Sequence, residues 1–177
     1  MNEIEIKFLN VDPLEIEKKL MILGVTKEWD CLLEEWIYGK EEWLKVNGRV
    51  RVRNDGYKTT VSYKETIRDT GQGNPEIELE VDDLSTIFVF LEKLGLKKHR
   101  HQQKKRTHFV LGDLALDIDI WPKLPPLLEI EGLDKRNLDE FAIKLDLDPS
   151  KSIQLDTFQI YKQIYHIDIN SNEELVF

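Results

Sequence analysis

The sequence contains a single cysteine, Cys31, among 177 residues, which excludes an internal disulfide and is typical of a reducing compartment. No apolar run is long enough to cross a membrane, and charged residues interrupt the opening stretch MNEIEIKF, so we expect no signal peptide. Basic residues are a minority, because 25 Lys and Arg stand against 34 Asp and Glu, with a formal net charge of −9. General nucleic-acid binding depends on a broad basic surface. We therefore expect a cytoplasmic protein without nucleic-acid or membrane partners, in which an anion binds only in a local basic pocket.

The composition is that of a folded globule, with 41% hydrophobic and 33% charged residues, and the length predicts a single domain over residues 1–177. Apolar and polar residues alternate with period two in about eight segments, and roughly four or five others carry helix signals. Hairpin signals such as Asn47-Gly48 favour an antiparallel α+β class. A sheet with this number of strands can close into a barrel with a usable interior.

Two segments of the chain share one pattern, an acidic strand followed by a short helix that ends in Leu-Gly. The first contains EIEIKF and EKKLMILG within residues 3–24, and the second contains EIELEV and VFLEKLG within residues 76–95. The pattern indicates a weak internal repeat. Chance similarity is the alternative, because both segments use common helix chemistry.

Charge is sorted by sign along the polar side of the predicted strands. Acidic rows occur at Glu3 and Glu5, at Glu76, Glu78 and Glu80, at Asp117 and Asp119, and at Glu129 and Glu131. Basic rows occur at Lys7, at Arg49, Arg51 and Arg53, at Lys64, and at Arg100, Lys104 and Arg106. Like charges along one row repel, so a solvated surface gains nothing from this sorting.

The sorting of charge has a use if the charged rows line one cavity. Acidic rows bind divalent metal ions through oxygen atoms, and Arg-rich rows bind phosphate oxygens with directed hydrogen bonds. Together the rows predict a site for a metal-bound polyanion, with the apolar rows facing outward beneath the helices. The alternative is an ordinary sheet, in which the charged rows face solvent and the apolar rows fill one core.

The ordered set of motifs resembles the CYTH superfamily, also called triphosphate tunnel metalloenzymes. The matching pieces are EIEIK at residues 3–7, RVR at 51–53, Lys64 at the end of TVSYK, EIELEV at 76–81, KKR at 104–106, LD at 116–117 and EIE at 129–131. The resemblance covers residues 2–132. It implies an eight-stranded antiparallel barrel that forms a tunnel, with helices outside, a requirement for Mg²⁺ or Mn²⁺, and a small-molecule triphosphate substrate.

Carried over by position, the resemblance also implies site residues. The implied metal ligands are Glu3, Glu5, Glu129 and Glu131, with Asp117 and Glu78 as helpers. The implied triphosphate-binding residues are Lys7, Arg51, Arg53, Lys64, Lys104 and Arg106. Within that set, the implied catalytic residues are Lys7, Lys64 and Arg106. Five further residues share these rows: Glu76, Glu80, Asp119, Arg49 and Arg100.

Members of the superfamily include inorganic triphosphatases, thiamine triphosphatases and class IV adenylyl cyclases. Water as the nucleophile gives hydrolysis, whereas the ribose 3′-hydroxyl of ATP gives cyclic AMP and pyrophosphate. We favour hydrolysis of inorganic, nucleoside or thiamine triphosphate, and the alternatives are an adenylyl cyclase and a non-catalytic polyphosphate- or nucleotide-binding module. A cyclase needs a purine pocket, for which the aromatic candidates are Trp29, Trp36, Trp43, Trp121, Tyr38 and Tyr57.

The end of the chain carries none of these motifs. Residues 134–168 are expected to form C-terminal helices, and FQIYKQIY predicts one that packs on the exterior, with a homodimer contact or a tunnel lid as alternatives. The tail SNEELVF is expected to be loosely held. His99 and His101 are interpreted as a surface pair, because no Cys or further His lies nearby.

Overall fold

The computed structural model describes residues 4–45, 48–64, 76–169 and 174–177. The strands are β1 Ile4–Leu9, β2 Thr26–Gly39, β3 Arg49–Asn54, β4 Thr59–Lys64, β5 Glu76–Val81, β6 Lys97–Leu111, β7 Leu114–Ile120, β8 Leu127–Gly132 and β9 Glu174–Leu175. The helices are α1 Pro13–Ile22, α2 Leu84–Lys93, α3 Lys135–Lys144 and α4 Thr157–Gln159, with 3₁₀ turns at Glu41–Lys45 and Pro149–Lys151 and a π turn at Ile160–Ile164. Among the described helices, none is long and apolar enough to span a membrane.

The strands pair in the order β1-β8-β7-β6-β2-β3-β4-β5, and β9 pairs with β6. The registered pairs among the first eight strands are antiparallel, and β9 runs parallel to β6. The predicted antiparallel α+β class is therefore confirmed. Among the described residues the strand order begins at β1 and ends at β5, so the closed eight-stranded barrel stays a prediction.

The chain divides into two compact units. Unit 1 comprises Met1–Cys31 and Lys105–Ile167, and unit 2 comprises Leu32–Lys104 and Asp168–Phe177. The two long strands, β2 and β6, each contribute one half to each unit. The single domain predicted over residues 1–177 includes both units and stays a prediction.

The core of unit 1 lies between its sheet and two helices. Alternate residues of β1, β6, β7 and β8 turn inward against the buried faces of α1 and α3. The principal buried side chains are Ile6, Phe8, Ile16, Leu20, Phe109, Leu116, Ile118, Leu128, Ile130, Leu138, Phe141 and Leu145. Complete burial of such a side chain contributes about 1.5–3 kcal/mol, so this cluster holds both helices on the sheet.

Unit 2 has a smaller core of the same design. Val50 and Val52 of β3 and Tyr38 of β2 pack with Leu91 of α2 and with Leu96. The partly buried side chains of α2 that complete this cluster are Leu84, Ile87 and Phe88. In each unit the apolar row therefore packs against a helix, as predicted, and the charged row lies on the opposite face of the sheet.

The predicted internal repeat is visible in the topology. The order β1-α1-β2-β3-β4 is followed by β5-α2-β6-β7-β8, and both helices have 10 residues. Each helix begins at an aspartate cap whose side chain accepts backbone N–H groups, Asp12 or Asp83. Each helix is followed by a glycine with positive φ, 76° at Gly24 and 78° at Gly95, where a side chain would be strained.

The end of the chain differs from the expectation. Glu174–Leu175 forms β9 alongside β6, and the Leu175 side chain is 1% exposed, so the prediction of a loosely held tail is wrong for these two residues. The helix predicted at Thr157–Tyr165 is one α-helical turn followed by a π turn. Its Tyr161 is fully buried in unit 1 and donates a hydrogen bond of 2.5 Å to the Pro122 carbonyl oxygen.

Candidate active site

Each unit carries buried charge on the face of its sheet opposite the helices. In unit 1, Asp119 is 0% exposed and Lys7 is 5% exposed. In unit 2, Glu35 is 2% exposed and Lys104 is 5% exposed. A buried ion has a desolvation penalty of several kcal/mol unless opposite charges and hydrogen bonds surround it. The alternative in which charged rows face solvent is therefore wrong for these side chains.

In unit 1, Arg106 of β6 is bound by three carboxylates. Its Nη1 lies 2.5 Å from Asp117 Oδ2, its Nε and Nη2 each donate to Asp119 at 2.6 Å, and Nη2 donates to Glu129 Oε2 at 2.7 Å. The register explains the convergence, since Arg106 lies opposite Asp119, and Asp117 lies opposite Glu129. We call Arg106, Asp117, Asp119 and Glu129 the arginine-centred cluster. Burial acts to lower the pKa of Arg106, but Asp119, Glu129 and Asp117 raise it well above its ordinary value, so the guanidinium stays charged.

Lys7 of β1 extends this cluster toward the edge of the sheet. It lies opposite Glu129 in the β1–β8 pair, with its Nζ 3.5 Å from Glu129 Oε1, and it also contacts Glu5. On the other side of β1, the Lys7 backbone exchanges hydrogen bonds of 2.9 and 3.0 Å with Ile153. Lys7 is therefore held by neighbours on both sides of β1.

His108 supports Asp117 from the next polar position of β6. Its Nδ1 lies 2.6 Å from Asp117 Oδ1, and its ring stacks on Trp29 with centroids 4.8 Å apart. Glu28 lies 3.7 Å from the other ring nitrogen. Alternation places His108 two residues beyond Arg106 in the same row, but the stacking on Trp29 has no sequence signal.

In unit 2, Glu35 of β2 is surrounded by bases. It accepts hydrogen bonds from Arg53 Nε at 2.8 Å and from Gln102 Nε2 at 2.6 Å, and Arg51 Nε lies 4.0 Å away. Burial acts to raise the pKa of Glu35, but Arg53, Lys104 and Arg51 lower it far below its ordinary value, so the carboxylate is ionised. We call Glu35, Arg51, Arg53, Gln102 and Lys104 the glutamate-centred cluster.

A second layer orients this cluster. Arg100 Nε donates to Gln102 Oε1 at 2.7 Å, which leaves the Gln102 amide nitrogen directed at Glu35. Arg51 lies opposite Ser62 in the β3–β4 pair, and its Nη2 is 3.7 Å from Glu78 Oε2. The bases thus form a positively charged, preorganised surface suited to binding an anion such as phosphate.

No protein-family model and no curated protein sequence matches the chain. Solved structures do match. The PH1012 protein from Pyrococcus horikoshii OT3 is 22% identical with a TM-score of 0.73, covering 87% of this chain and 96% of that chain. A candidate adenylate cyclase from Vibrio parahaemolyticus is 14% identical with a TM-score of 0.71, covering 94% and 98%.

A third match is HpAC1 from Hippeastrum, a candidate adenylyl cyclase with a dominant triphosphatase activity. It is 16% identical with a TM-score of 0.65, covering 92% of this chain and 96% of that chain. The chain has the CYTH-type fold. The resemblance expected from the motifs is thereby confirmed, and identities this low establish the fold alone.

The predicted site residues are distributed over the two units. Arg51, Arg53 and Lys104 join the glutamate-centred cluster, and Arg106 with Asp117 and Glu129 forms the arginine-centred cluster. Lys64 lies at the end of β4, in register with Arg49 of β3 and Glu76 of β5. The predicted role of each residue stays a prediction, and Glu3 lies outside the described residues.

The predicted metal ligands are engaged to different degrees. Asp117 and Glu129 bind Arg106, and Glu78 lies beside Arg51 in unit 2. Glu5 and Glu131 lie directly opposite each other across β1 and β8, and the Lys7 ammonium contacts Glu5. Among the described residues, no group of three or more His, Cys, Asp or Glu is arranged to hold a metal ion.

A hard cation still fits the chemistry of the opposed pair. Both groups are carboxylates, which are the ligands that Mg²⁺ and Mn²⁺ prefer, and the Glu5 side chain is 41% exposed. The metal site therefore stays a prediction, and Glu5 and Glu131 are the residues that fit it best.

Sequence reasoning missed Glu35. Alternation along β2 places Glu35 in one row with the apolar residues Leu33 and Ile37, so this strand by itself shows no charged row. The pairing of β2 with the RVRVR strand, which puts Glu35 opposite Arg53, was the signal that could have identified it.

Proposed function

We propose that the protein is a divalent-metal-dependent phosphoryl-transfer enzyme that hydrolyses a triphosphate. The observation that carries the proposal is the glutamate-centred cluster, in which three bases, Arg53, Lys104 and Arg51, share the buried Glu35. Bases in excess of carboxylates at a buried surface favour the binding of an anion with several oxygen atoms. A triphosphate matches this requirement because each of its phosphates presents anionic oxygens.

The roles of the residues follow from their surroundings. Arg51 and Arg53 would bind phosphate oxygens, since Glu35 and Gln102 hold the cluster in position and limit its reorganisation on binding. Lys104 adds positive charge to the same cluster, and Lys64 would bind at the end of β4. Phosphoryl transfer proceeds with little covalent chemistry from the protein, so positioning and charge neutralisation supply most of the rate.

The carboxylates of unit 1 are the candidates for holding the metal ion. Glu5 and Glu131, with Glu3, would hold Mg²⁺ or Mn²⁺, and such an ion neutralises phosphate charge and lowers the pKa of bound water. Lys7 would act beside Glu5 and Glu129 as a phosphate-binding group. Arg106 would hold Asp117, Asp119 and Glu129 in place through its ion pairs.

Two observations support hydrolysis over cyclisation. The HpAC1 protein has a dominant triphosphatase activity. In addition, aromatic side chains considered for a purine pocket are used in packing. Trp36 contacts Phe88 with ring centroids 5.0 Å apart, and Trp43 contacts Tyr63 at 5.2 Å. Adenylyl cyclase activity is the second candidate, because two of the similar structures are candidate cyclases.

Product analysis tests the proposal. The pure protein is incubated with inorganic triphosphate, ATP and thiamine triphosphate, each with Mg²⁺ or Mn²⁺, and the products are identified. We expect orthophosphate release. Cyclic AMP with pyrophosphate would instead establish the cyclase, and binding without turnover would establish the non-catalytic module.

A matched pair of variants tests whether turnover depends on the glutamate-centred cluster. Arg53→Ala removes a base that binds Glu35, whereas Arg136→Ala removes one that pairs with Glu140 at the surface of α3. We expect loss of turnover in the first and unchanged turnover in the second. Equal activity of the two variants would contradict a role for the glutamate-centred cluster.

The remaining sequence predictions belong to the same proposal. They are the eight-stranded tunnel, the cytoplasmic location and a homodimer. The exposed side chains of the C-terminal helix provide a test of the last, because Ile164 is 38% exposed. Sedimentation of the wild-type chain and of Ile164→Glu would show a dimer that the substitution dissociates.

A further inference from the structure

Ser62 has an unsatisfied hydroxyl group on the polar face of unit 2. It is 1% exposed, and its Oγ has no hydrogen-bond partner among the residues that the structure describes. Its neighbours in the chain, Val61 and Tyr63, pack against the apolar cluster, so alternation directs Ser62 to the opposite, charged face. Most buried hydroxyl groups in proteins are hydrogen-bonded, and one that is not destabilises the folded state.

The residues beside Ser62 define what partner is missing. Across β3–β4 its neighbour is Arg51, and across β4–β5 its neighbour is Glu78. Arg51 carries only donors, so it cannot accept the Ser62 hydroxyl hydrogen. Glu78 is directed at Arg51, 3.7 Å from Nη2, and its side chain is 44% exposed. An anionic oxygen beside Arg51 would supply the missing acceptor.

We infer that Ser62 is a substrate-binding residue whose hydroxyl donates a hydrogen bond to the phosphate oxygen that Arg51 binds. The inference rests on the proposed function and assigns to its site a neutral donor that recognises the phosphate without adding charge. Lys64 lies two residues further along the same polar row, so Ser62 stands between two donors for the same polyanion.

Ser62→Ala tests the inference through two readouts with opposite signs. The substitution removes an unsatisfied buried group, so the ligand-free variant should have a higher melting temperature than the wild type. It also removes a donor to the ligand, so the dissociation constant for inorganic triphosphate in Mg²⁺ should rise about three- to tenfold by isothermal titration calorimetry. A residue with a purely structural role would not produce this pair of effects.

Thr59→Val is the matched control. Thr59 is on the same strand but on the other face, and its Oγ1 accepts a hydrogen bond of 2.9 Å from Asn54 Nδ2. Its loss should lower the melting temperature and leave the dissociation constant unchanged.

The outcomes separate this inference from the function on which it rests. Equal triphosphate affinity of Ser62→Ala and the wild type overturns the role of Ser62 alone. Absence of triphosphate binding by the wild type overturns both. Weakened binding by Ser62→Ala in a protein that binds triphosphate without hydrolysing it supports Ser62 and overturns the proposed hydrolysis.

Discussion

Arg106 in unit 1 is surrounded by three carboxylates, whereas Glu35 in unit 2 is surrounded by three bases. Both ions lie on the polar face of strands that belong to the two copies of one topological repeat. The repeat therefore determines where a charged side chain is buried. The charges on the neighbouring strands determine whether an acid or a base is stable at that position. The arginine-centred cluster of unit 1 has an excess of negative charge, which suits a cation. The glutamate-centred cluster of unit 2 has an excess of positive charge, which suits an anion.

The largest effect is expected from Arg106→Met. The substitution leaves Asp117, Asp119 and Glu129 close together without their shared counter-charge, and breaking a buried ion pair in this way costs about 3–5 kcal/mol. Urea denaturation at neutral pH measures the loss. A loss below about 1 kcal/mol would show that these carboxylates are solvated, and would contradict the view that both units contain a buried ion stabilised by its neighbours.

Glu35→Gln should have a smaller effect of the same kind. Glutamine keeps the shape of the side chain and one hydrogen-bond acceptor, so we expect a loss of about 1–3 kcal/mol. The reason is that Arg53, Lys104 and Arg51 lose the charge that they share. The same denaturation measurement checks it, and a variant more stable than the wild type would mean that Glu35 is not needed to bury these bases.

The pH dependence of the free energy of unfolding tests whether the Glu35 carboxylate is stabilised by its three bases. Burial acts to raise the pKa of Glu35, but Arg53, Lys104 and Arg51 lower it far below its ordinary value of 4.5. Because the folded-state pKa is the lower one, the contribution of Glu35 is fully present above pH 4.5 and is lost as the pH falls below it. The stability difference between the wild type and Glu35→Gln should be constant at higher pH and then narrow by up to about 1.4 kcal/mol per pH unit. A difference that does not change with pH would contradict the assignment.

The smallest effects are expected from exposed pairs in the two units. Glu174→Gln removes a 2.6 Å contact with His101 Nδ1 in unit 2, and the Glu174 side chain is 56% exposed, so we expect a loss below about 1 kcal/mol. Arg136→Ala removes a surface pair with Glu140 in unit 1 and should have no measurable effect on the urea midpoint. Losses as large as that of Glu35→Gln would show that burial does not distinguish these pairs from the clusters.

The environment of Glu35 and the strand at Glu174–Leu175 could not be predicted from the sequence. Glu35 binds Gln102, which lies 67 residues away in the chain, and this contact depends on a strand pairing that no local pattern specifies. Glu174 and Leu175 belong to a tail that was expected to be loosely held, yet they form a strand that pairs with β6. The arginines at positions 51, 53 and 106 were predictable, because their spacing alone places them on polar rows.

The sequence by itself determined which residues share a face of each strand, where helices α1 and α2 begin and end, and that the fold is α+β of the CYTH type. The strand faces and the helix ends depend on neighbours within a few residues, namely period-two alternation, the Asp12 and Asp83 caps, and the glycines at 24 and 95. The CYTH type was instead inferred from the resemblance of the ordered motifs. Only the tertiary structure decided that Arg106 has three carboxylates, that Glu35 has three bases and that the Ser62 hydroxyl lies beside Arg51. Those contacts depend on the register between strands that are distant in sequence, and a shift of one residue would turn every one of these side chains to the other face.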